Sequence, residues 1–384
     1  MEKAVSWKKI LILAIAVCLF AGIIVKCNQF QKTPLASYKG QKYEKAVVTK
    51  IIKDNLAEDG SRYGTQKVLV KMTTGTYKGK EKQAINPSGT LFGADCKVGA
   101  RIIVIVNKSG TNVGFTVYSQ DRTMAIYGFA LIFAAVVCAI GGKKGVYAIL
   151  SLGFAFACII GIMFPMMYRG NSPIVLTIIV AVLTTIVTLG LLGGYSSKTV
   201  SAILGTAIGV MIAAVAAMAF GKVAGITGYN VSDIEALNYV GQNTKIKIGE
   251  LLFAGIIISA LGAVMDVGMS IASTIQEIYE TDKTLSMKRL FVSGINVGRD
   301  MMGTMTNTLI FAYVGGAMTT LVINYAYDLS YRQLANSYVI GIEIMQGLSG
   351  SLGVVLTVPI TALIASFLAA VSYTHLTLPT KLEV

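Results

Sequence analysis

The fold is decided by two stretches, Leu251–Ser273 (LLFAGIIISALGAVMDVGMSIAS) and Gly294–Gly316 (GINVGRDMMGTMTNTLIFAYVGG). Each is as long as the roughly 20 apolar residues that a helix needs to cross the hydrocarbon core of a bilayer. The first carries Asp266, and the second carries Arg299 and Asp300. A charge near the bilayer centre costs at least about 2.5–3.5 kcal/mol, so charges at this depth rarely lack a role.

The composition of the whole chain indicates a membrane protein. Hydrophobic residues make up 54% of the 384 residues and charged residues 14%, whereas charged residues are about a quarter of a soluble domain. The formal net charge of +14 falls on the ends, the loops and one polar segment. Cationic flanks of membrane spans account for this charge better than a nucleic-acid surface does, so we expect no nucleic-acid partner.

Further apolar runs predict an α-helical membrane bundle with about eight transmembrane helices. Besides the two quoted stretches, whose second span we place at Gly303–Ile323, the runs are Ile10–Val25, Met124–Ile140, Gly145–Met167, Pro173–Leu192, Val200–Phe220 and Ser337–Val371. The first run lacks a convincing cleavage site, so it predicts a retained anchor helix. The last run is too long for one span, which predicts a re-entrant or half helix at Val339–Leu348 before a span from Leu352.

Residues 26–121 predict a small β-domain, a barrel or sandwich for which an OB-like barrel is one form. Alternating residues and turn signals predict strands at Tyr43–Ile52, Gln66–Met72, Val98–Asn107 and Val113–Tyr118. A basic surface with two tyrosines follows from Lys67, Lys71, Lys78, Lys80, Lys82, Tyr63 and Tyr77. An oligonucleotide-binding face is one interpretation, and a solvated surface near anionic lipid or wall polymer is the one we favour.

The domain division follows from these patterns. Residues 1–25 form a cytosolic start and anchor helix, 26–121 the β-domain, 122–371 a seven-helix membrane domain, and 372–384 a non-native-looking tail that resembles translated adapter sequence. Because that tail holds the chain's one histidine, His375, we exclude it from any mechanism. Short loops with more Lys and Arg stay cytosolic, which predicts a cytosolic N-terminus and places residues 26–121 outside.

Polar and small residues recur at helical spacing on the two decisive stretches. The first stripe contains Ser259, Gly262, Asp266, Ser270 and Ser273, and the second Asn296, Asp300, Gly303 and Asn307. We expect both stripes to face the bundle interior, with Asp266 and Arg299 at a similar, cytosolic depth. Two interpretations stay open: a buried salt bridge that fixes two helices, or an ion or proton path.

A third stripe contains Glu343 and Gln346, followed by Ser349, Gly350 and Gly353. If Val339–Leu348 is re-entrant, Glu343 lines an outward-facing vestibule. The other interpretation, an interfacial carboxylate in water, is the one we slightly favour.

No enzyme, metal or cofactor motif is complete in the sequence. Gly347-Leu-Ser-Gly350 has the form of an intramembrane serine protease motif but lacks a histidine base, and no metal-ligand spacing occurs. We therefore expect no catalytic residue, no metal and no cofactor. Cys27 and Cys96 are the two cysteines of the polar segment, and their pairing stays open.

The stretches Ser259–Ser273 and Gly294–Tyr313 resemble the signature segments of the YibE/F-like family of bacterial membrane proteins. Val358–Ile364 is similar to the closing span of that family, and the resemblance covers about Met124–Ala370. It implies a multi-pass protein of the bacterial plasma membrane, and it brings no established site residues.

Two functions are compatible with these patterns. The first is a transporter or permease in which Asp266, Arg299, Asp300 and Glu343 line a polar path for an ion or small molecule. The second is a non-transporting scaffold whose β-domain binds a partner protein or an envelope polymer. The sequence does not fix the oligomeric state.

Overall fold

The computed structural model describes residues 7–32, 34–36, 38, 40–56, 64–87, 93–109, 112–231 and 233–376. Two compact units divide the chain. Residues 34–139 form one unit, and the residues before and after them form the other. Tyr63 and residues 377–384 of the predicted tail lie outside the described residues.

The first unit contains a closed five-stranded barrel. Its strands are β1 (Gln41–Lys53), β2 (Thr65–Met72), β3 (Glu81–Pro87), β4 (Arg101–Ser109) and β5 (Asn112–Gln120). They close in the order β1-β2-β3-β5-β4, with β3 and β5 parallel at Ile85 and Thr116. A five-stranded barrel is the architecture of the OB fold, and it excludes the sandwich alternative.

Alternation of apolar residues builds the barrel, because successive side chains of a strand point to opposite faces. Val48, Val68, Val70, Ile102 and Val104 are at most 1% exposed and fill the interior. The four predicted strands are confirmed. The sequence pattern missed β3 because its two inward residues are Ala84 and Asn86, which give no hydrophobic signal.

The second unit is a helical bundle. Helix α2 (Thr123–Cys158) begins in the first unit and enters the second at residue 140. The other helices of the second unit are α1 (Trp7–Asn28), α3 (Phe164–Tyr168), α4 (Pro173–Gly193), α5 (Ser197–Ala224), α6 (Ile234–Asn243), α7 (Leu251–Thr281), α8 (Met287–Gly316), α9 (Met318–Ala326), α10 (Tyr331–Ala335) and α11 (Tyr338–Leu376). The core joins α4, α5, α7, α8 and α11.

Five helices of the described chain are long and apolar enough to cross a membrane, or six if α8 and α9, which meet at a bend of 60°, form one span. The runs at Met124–Ile140 and Gly145–Met167 belong to one helical stretch of 46 residues that ends at Tyr168. Gly142 interrupts its helical geometry with φ 53° and ψ −130°. The number of eight spans stays a prediction.

The prediction of a re-entrant helix at Val339–Leu348 is wrong. α11 is continuous over its 39 residues and retains Pro359 in its interior. Small side chains allow it to approach α5 closely, because a methyl group added at Gly209 would lie 1.8 Å from Thr357 Oγ1. At Gly205 the corresponding distance to Thr361 Oγ1 is 1.9 Å.

The loop between α7 and α8 is held by side-chain hydrogen bonds. The backbone N–H and hydroxyl of Thr284 donate to Asp282 Oδ1 at 2.9 and 2.6 Å. These bonds hold the pKa of the Asp282 carboxyl below its usual range. Ser286 then caps α8, since its Oγ accepts from the N–H of Arg289. α8 therefore begins at Met287, well before the predicted span at Gly303.

Candidate functional site

α7 has one buried and one exposed face. Ile256, Ile257, Ala260, Val264 and Val267 are completely buried. The opposite face exposes Gly255, Ser259, Gly262 and Asp266, which recur at three or four residues. This spacing places them in one row along the helix.

α8 repeats the arrangement. Leu290, Gly294, Gly298 and Leu309 are buried, and a methyl group added at Gly298 would lie 2.2 Å from Val358 Cγ1 of α11. The other face exposes a row of polar and small residues, namely Asn296, Arg299, Asp300, Gly303, Thr304, Asn307 and Thr308.

We call these two rows together the polar face: Gly255, Ser259, Gly262 and Asp266 of α7 with Asn296, Arg299, Asp300, Gly303, Thr304, Asn307 and Thr308 of α8. The expectation that both stripes face the bundle interior is wrong for Ser259, Gly262 and Asp266 and for the whole second stripe, because these residues are exposed at the surface of the bundle, whereas Ser270 and Ser273 are half-buried. The interior is filled by the apolar side of α7 and by the glycines of α8 that pack on α11.

The charges of the polar face lie near the middle of their helices. α7 has 31 residues and α8 has 30. At 1.5 Å per residue, Asp266 lies about 22 Å along α7 from Thr281, and Arg299 about 18 Å along α8 from Met287. Within the helix pair, the contacts of Ser259 with Tyr313 and of Ile275 with Gly294 place Asp266 nearer the level of Thr304 than that of Arg299. A common membrane depth for Asp266 and Arg299 stays a prediction.

The structure does not join Asp266 and Arg299 in an ion pair. Within the described residues, the side chains of Asp266, Asn296, Arg299, Asp300 and Asn307 make no ion pair or hydrogen bond. The salt-bridge interpretation, in which the two charges fix the helices of one protomer, therefore has no contact to support it.

Glu343 lies elsewhere, in a cavity of about 320 Å³ formed by α8, α9 and α11. The cavity is lined mostly by apolar side chains such as Ile310, Leu321 and Leu348, and Tyr313 also contributes to it. Glu343 and Gln346 are half-buried. The vestibule interpretation of Glu343 required a re-entrant helix, whereas the structure places this residue on the continuous α11; the favoured interpretation, an interfacial carboxylate in water, stays a prediction.

A hydrogen bond links this cavity to the polar face. Tyr313 Oη donates to Ser259 Oγ at 2.8 Å, and Ser259 Oγ donates to the carbonyl of Ile256 at 2.9 Å. Tyr313 lines the Glu343 cavity, and Ser259 belongs to the exposed row of α7. The sequence did not single out Tyr313, since a lone tyrosine in an apolar helix carries no specific signal.

Sequence reasoning also missed buried hydroxyls in the bundle. Thr206 of α5 and Thr361 and Ser366 of α11 are completely buried, and their oxygens have no hydrogen-bond partner in the described chain. Hydroxyls in apolar helices commonly bond back to the carbonyl four residues earlier, as Thr357 does to Gly353 at 2.7 Å.

The barrel holds one feature that the sequence did not indicate. Glu44 of β1 is 6% exposed, and its Oε2 has no partner among the described residues. It lies beside a cavity of about 130 Å³ that Tyr77 and Lys108 also line. The sequence signal that could have indicated this feature is a glutamate at an inward-facing position of an alternating strand.

The predicted basic surface of the barrel is present in part. Lys67, Lys71, Lys78 and Lys80 are exposed. Lys82 Nζ lies 5.4 Å from the ring centre of Tyr77 and 5.9 Å from that of Phe115, which is a cation–π arrangement. Cys96 is buried in the barrel core, and Cys27 of α1 is a free thiol.

Comparison with known proteins identifies the bundle. The model of the YibE/F-like family matches residues 129–371. The chain belongs to the YibE/F-like family. The match extends from α2 into α11 and contains the whole polar face and the Glu343 cavity. No curated protein and no solved structure matches the chain. The resemblance predicted from the two signature segments is confirmed, and it describes an integral membrane protein of unknown function.

Proposed function

We propose that the chain is a permease-like membrane transport protein that moves an ion or small polar molecule along the polar face. The observation that supports this proposal is the position of Asp266, Arg299 and Asp300, exposed near the middle of two long apolar helices. Charges at such depth face water-filled cavities or protein and not lipid. A water-filled path along α7 and α8 would satisfy them.

The Glu343 cavity extends the proposed path. Tyr313 lines the cavity and donates to Ser259 of the polar face, so the two polar regions are connected through one hydrogen bond. The cavity walls are otherwise apolar, which is usual for a site that admits a small ligand and orients it with few polar groups. The proposal assigns no catalytic step and no cofactor.

Eight spans are part of the proposal. A stretch of 46 residues is about 70 Å long, far more than the roughly 30 Å of a hydrocarbon core. The break at Gly142, followed by Lys143 and Lys144, divides it into two spans. With α1, α4, α5, α7, the bent pair α8 and α9, and α11, the number becomes eight.

The orientation is likewise proposed. Lys143, Lys144, Lys198, Lys283 and Arg289 then lie at the break in α2, in the first turns of α5 and α8 or in the loop before α8, all on one side, which the positive-inside rule assigns to the cytosol. The N-terminus is cytosolic in this arrangement, and residues 26–121 lie outside the plasma membrane of a bacterium.

Accessibility of the polar face to water tests the path. Asn296→Cys and Asn307→Cys, at exposed polar positions of α8, would be treated with a membrane-impermeant thiol reagent in sealed proteoliposomes, with wild-type protein measuring the background of native cysteines. We expect labelling at both positions. The matched control is Leu363→Cys on an exposed apolar face of α11, which should stay unlabelled. Equal protection at all three positions would contradict the proposed path.

A membrane scaffold is the second candidate. The exposed lysines of the barrel and the Lys82–Tyr77 contact favour it, because this surface suits an anionic envelope polymer or an acidic partner protein. A chimera of the barrel on an unrelated membrane anchor separates the two functions. It retains function if the chain is a scaffold and loses it if the bundle transports.

A further inference from the structure

The exposed surface of the bundle has two different characters. Most exposed helix faces are apolar, with Ile179 on α4, Val215 on α5, and Leu363 and Phe367 on α11 each more than half exposed. Such faces suit contact with lipid tails. The polar face of α7 and α8 differs, since it exposes three charged side chains and two asparagines near mid-helix. A lipid-facing surface does not explain it.

Glycines show the same difference. Glycines inside the bundle lie against a neighbouring helix, as Gly205 and Gly209 do with α11 and Gly298 does with Val358. Gly255, Gly262 and Gly303 of the polar face have nothing within 4 Å of an added methyl group. In membranes, rows of small residues let helices approach closely. The polar face thus has the composition of a helix–helix interface, although no described helix of this chain packs against these glycines.

The charges of the polar face are complementary to themselves. Each protomer offers one cation, Arg299, the adjacent carboxylate Asp300, and a second carboxylate, Asp266, all exposed near the middle of α7 and α8. A two-fold axis brings identical surfaces together, so that each residue i of one copy meets residue j of the other and the reverse. In such a pair the arginine of each copy can meet a carboxylate of its partner.

We propose that a second copy of this chain covers the polar face in a two-fold symmetric dimer. Arg299 of each copy pairs across the interface with an acidic side chain of the other, and the open glycines bring the helices close together. The inference goes beyond the proposed function, because the dimer forms whether or not it transports. If it does transport, both copies line the path.

Subunit counting tests the dimer without any measurement of transport. Fluorescently labelled full-length protein would be diluted into large liposomes, and the bleaching steps of single spots counted. We expect two steps for most spots of the wild type. Gly262→Leu combined with Gly303→Leu should shift most spots to one step, since leucine blocks close approach. A wild type that bleaches in one step overturns the proposal.

The matched control is Gly153→Leu, an exposed helical glycine of α2 with nothing within 4 Å, which should keep two steps. The helical content of all variants, measured by circular dichroism, should agree, because each leucine enters open space in one protomer. Two steps retained in the double variant contradict the proposed interface.

Charge exchange supplies a second, independent variant. Arg299→Asp alone should reduce the dimer fraction at least tenfold, through repulsion between carboxylates. Mixing this variant with Asp266→Arg/Asp300→Arg copies carrying a different dye should restore two-colour spots. Absence of two-colour spots, while each protein retains its fold, argues against pairing across this face.

Discussion

Tyr313 of α8 donates a hydrogen bond of 2.8 Å to Ser259 of α7. This bond joins two helices that also meet where Ile275 of α7 lies against Gly294 of α8. It also connects the Glu343 cavity to the polar face. A path that includes both regions would pass this hydrogen bond. Removal of the bond should therefore change both the stability of the helix pair and the flux along the path, and the two effects can be measured separately.

Tyr313→Phe removes the hydroxyl and keeps the ring. We expect the bundle to lose about 1 kcal/mol of stability, the usual net contribution of one hydrogen bond. Thermal unfolding in detergent measures the change. Tyr325→Phe is the matched control, because Tyr325 is 89% exposed and its hydroxyl makes no bond within the described residues. Equal effects of the two substitutions would show that the Tyr313 bond contributes nothing specific.

Close packing of α5 on α11 gives a second prediction. Gly209→Ala places a methyl group 1.8 Å from Thr357 Oγ1 and 2.8 Å from Val264 Cγ1. Overpacking of a tight core costs about 1–3 kcal/mol, so the unfolding midpoint should fall. Gly153→Ala, which enters open space, should leave the midpoint unchanged or raise it, since alanine favours a helix. A lower midpoint for both variants would point to a general intolerance of alanine instead.

Neutralisation of Asp266 tests the transport function. Under the proposal, Asp266→Asn should reduce ion flux into proteoliposomes at least tenfold, because the carboxylate lies midway along α7. Flux would be measured with dyes for H⁺, Na⁺ and K⁺ under a gradient of each ion. Glu277→Gln, an exposed carboxylate near the end of the same helix, is the matched control and should retain flux. Wild-type flux in Asp266→Asn would contradict a path that includes Asp266, and absence of flux in the wild type would argue for the scaffold.

Particular residues show what the sequence could predict. Strands with strong apolar alternation, such as β2 and β4, were located within a few residues, whereas β3 was missed because Ala84 and Asn86 carry its inward face. The signature segments also identified the family, because they combine charges that are rare in apolar helices with fixed spacing.

The direction in which the polar stripes face could not be predicted. α8 has small residues on two sides, with Gly294 and Gly298 on one and Gly303 on the other. Hydropathy indicates the depth of a residue, but it does not say which of the two sides of α8 that carry small residues packs against α11. The tertiary fit of Val358 and Ala362 against Gly298 and Gly294 decides this, and that fit is not local in sequence. The continuity of α11 depends in the same way on its contact with α5.

Acid should weaken the barrel through Asp121. Its side chain is 6% exposed, accepts from the N–H of Thr123 at 3.1 Å and forms an ion pair with Lys45 at 3.0 Å. Hydrogen bonds from Thr123, and then Lys45, lower the pKa of Asp121 to about 2. A carboxyl with a pKa lower in the folded state stabilises the fold above its unfolded pKa of about 3.9. That stability is lost as pH falls from about 4 to about 2.

Asp121→Asn isolates this contribution. We expect it to cost the barrel about 1–2 kcal/mol at pH 7, a value reduced because Lys45 is 43% exposed and water screens its charge. The variant should also lose less stability than the wild type between pH 4 and pH 2. Hydrogen exchange of β1 and β4 amides in the full chain, corrected for intrinsic rates, measures both effects. Asp95→Asn is the control, since the Asp95 side chain is 45% exposed and should contribute little. An acid response of Asp121→Asn equal to that of the wild type would assign the acid sensitivity of the barrel to other groups.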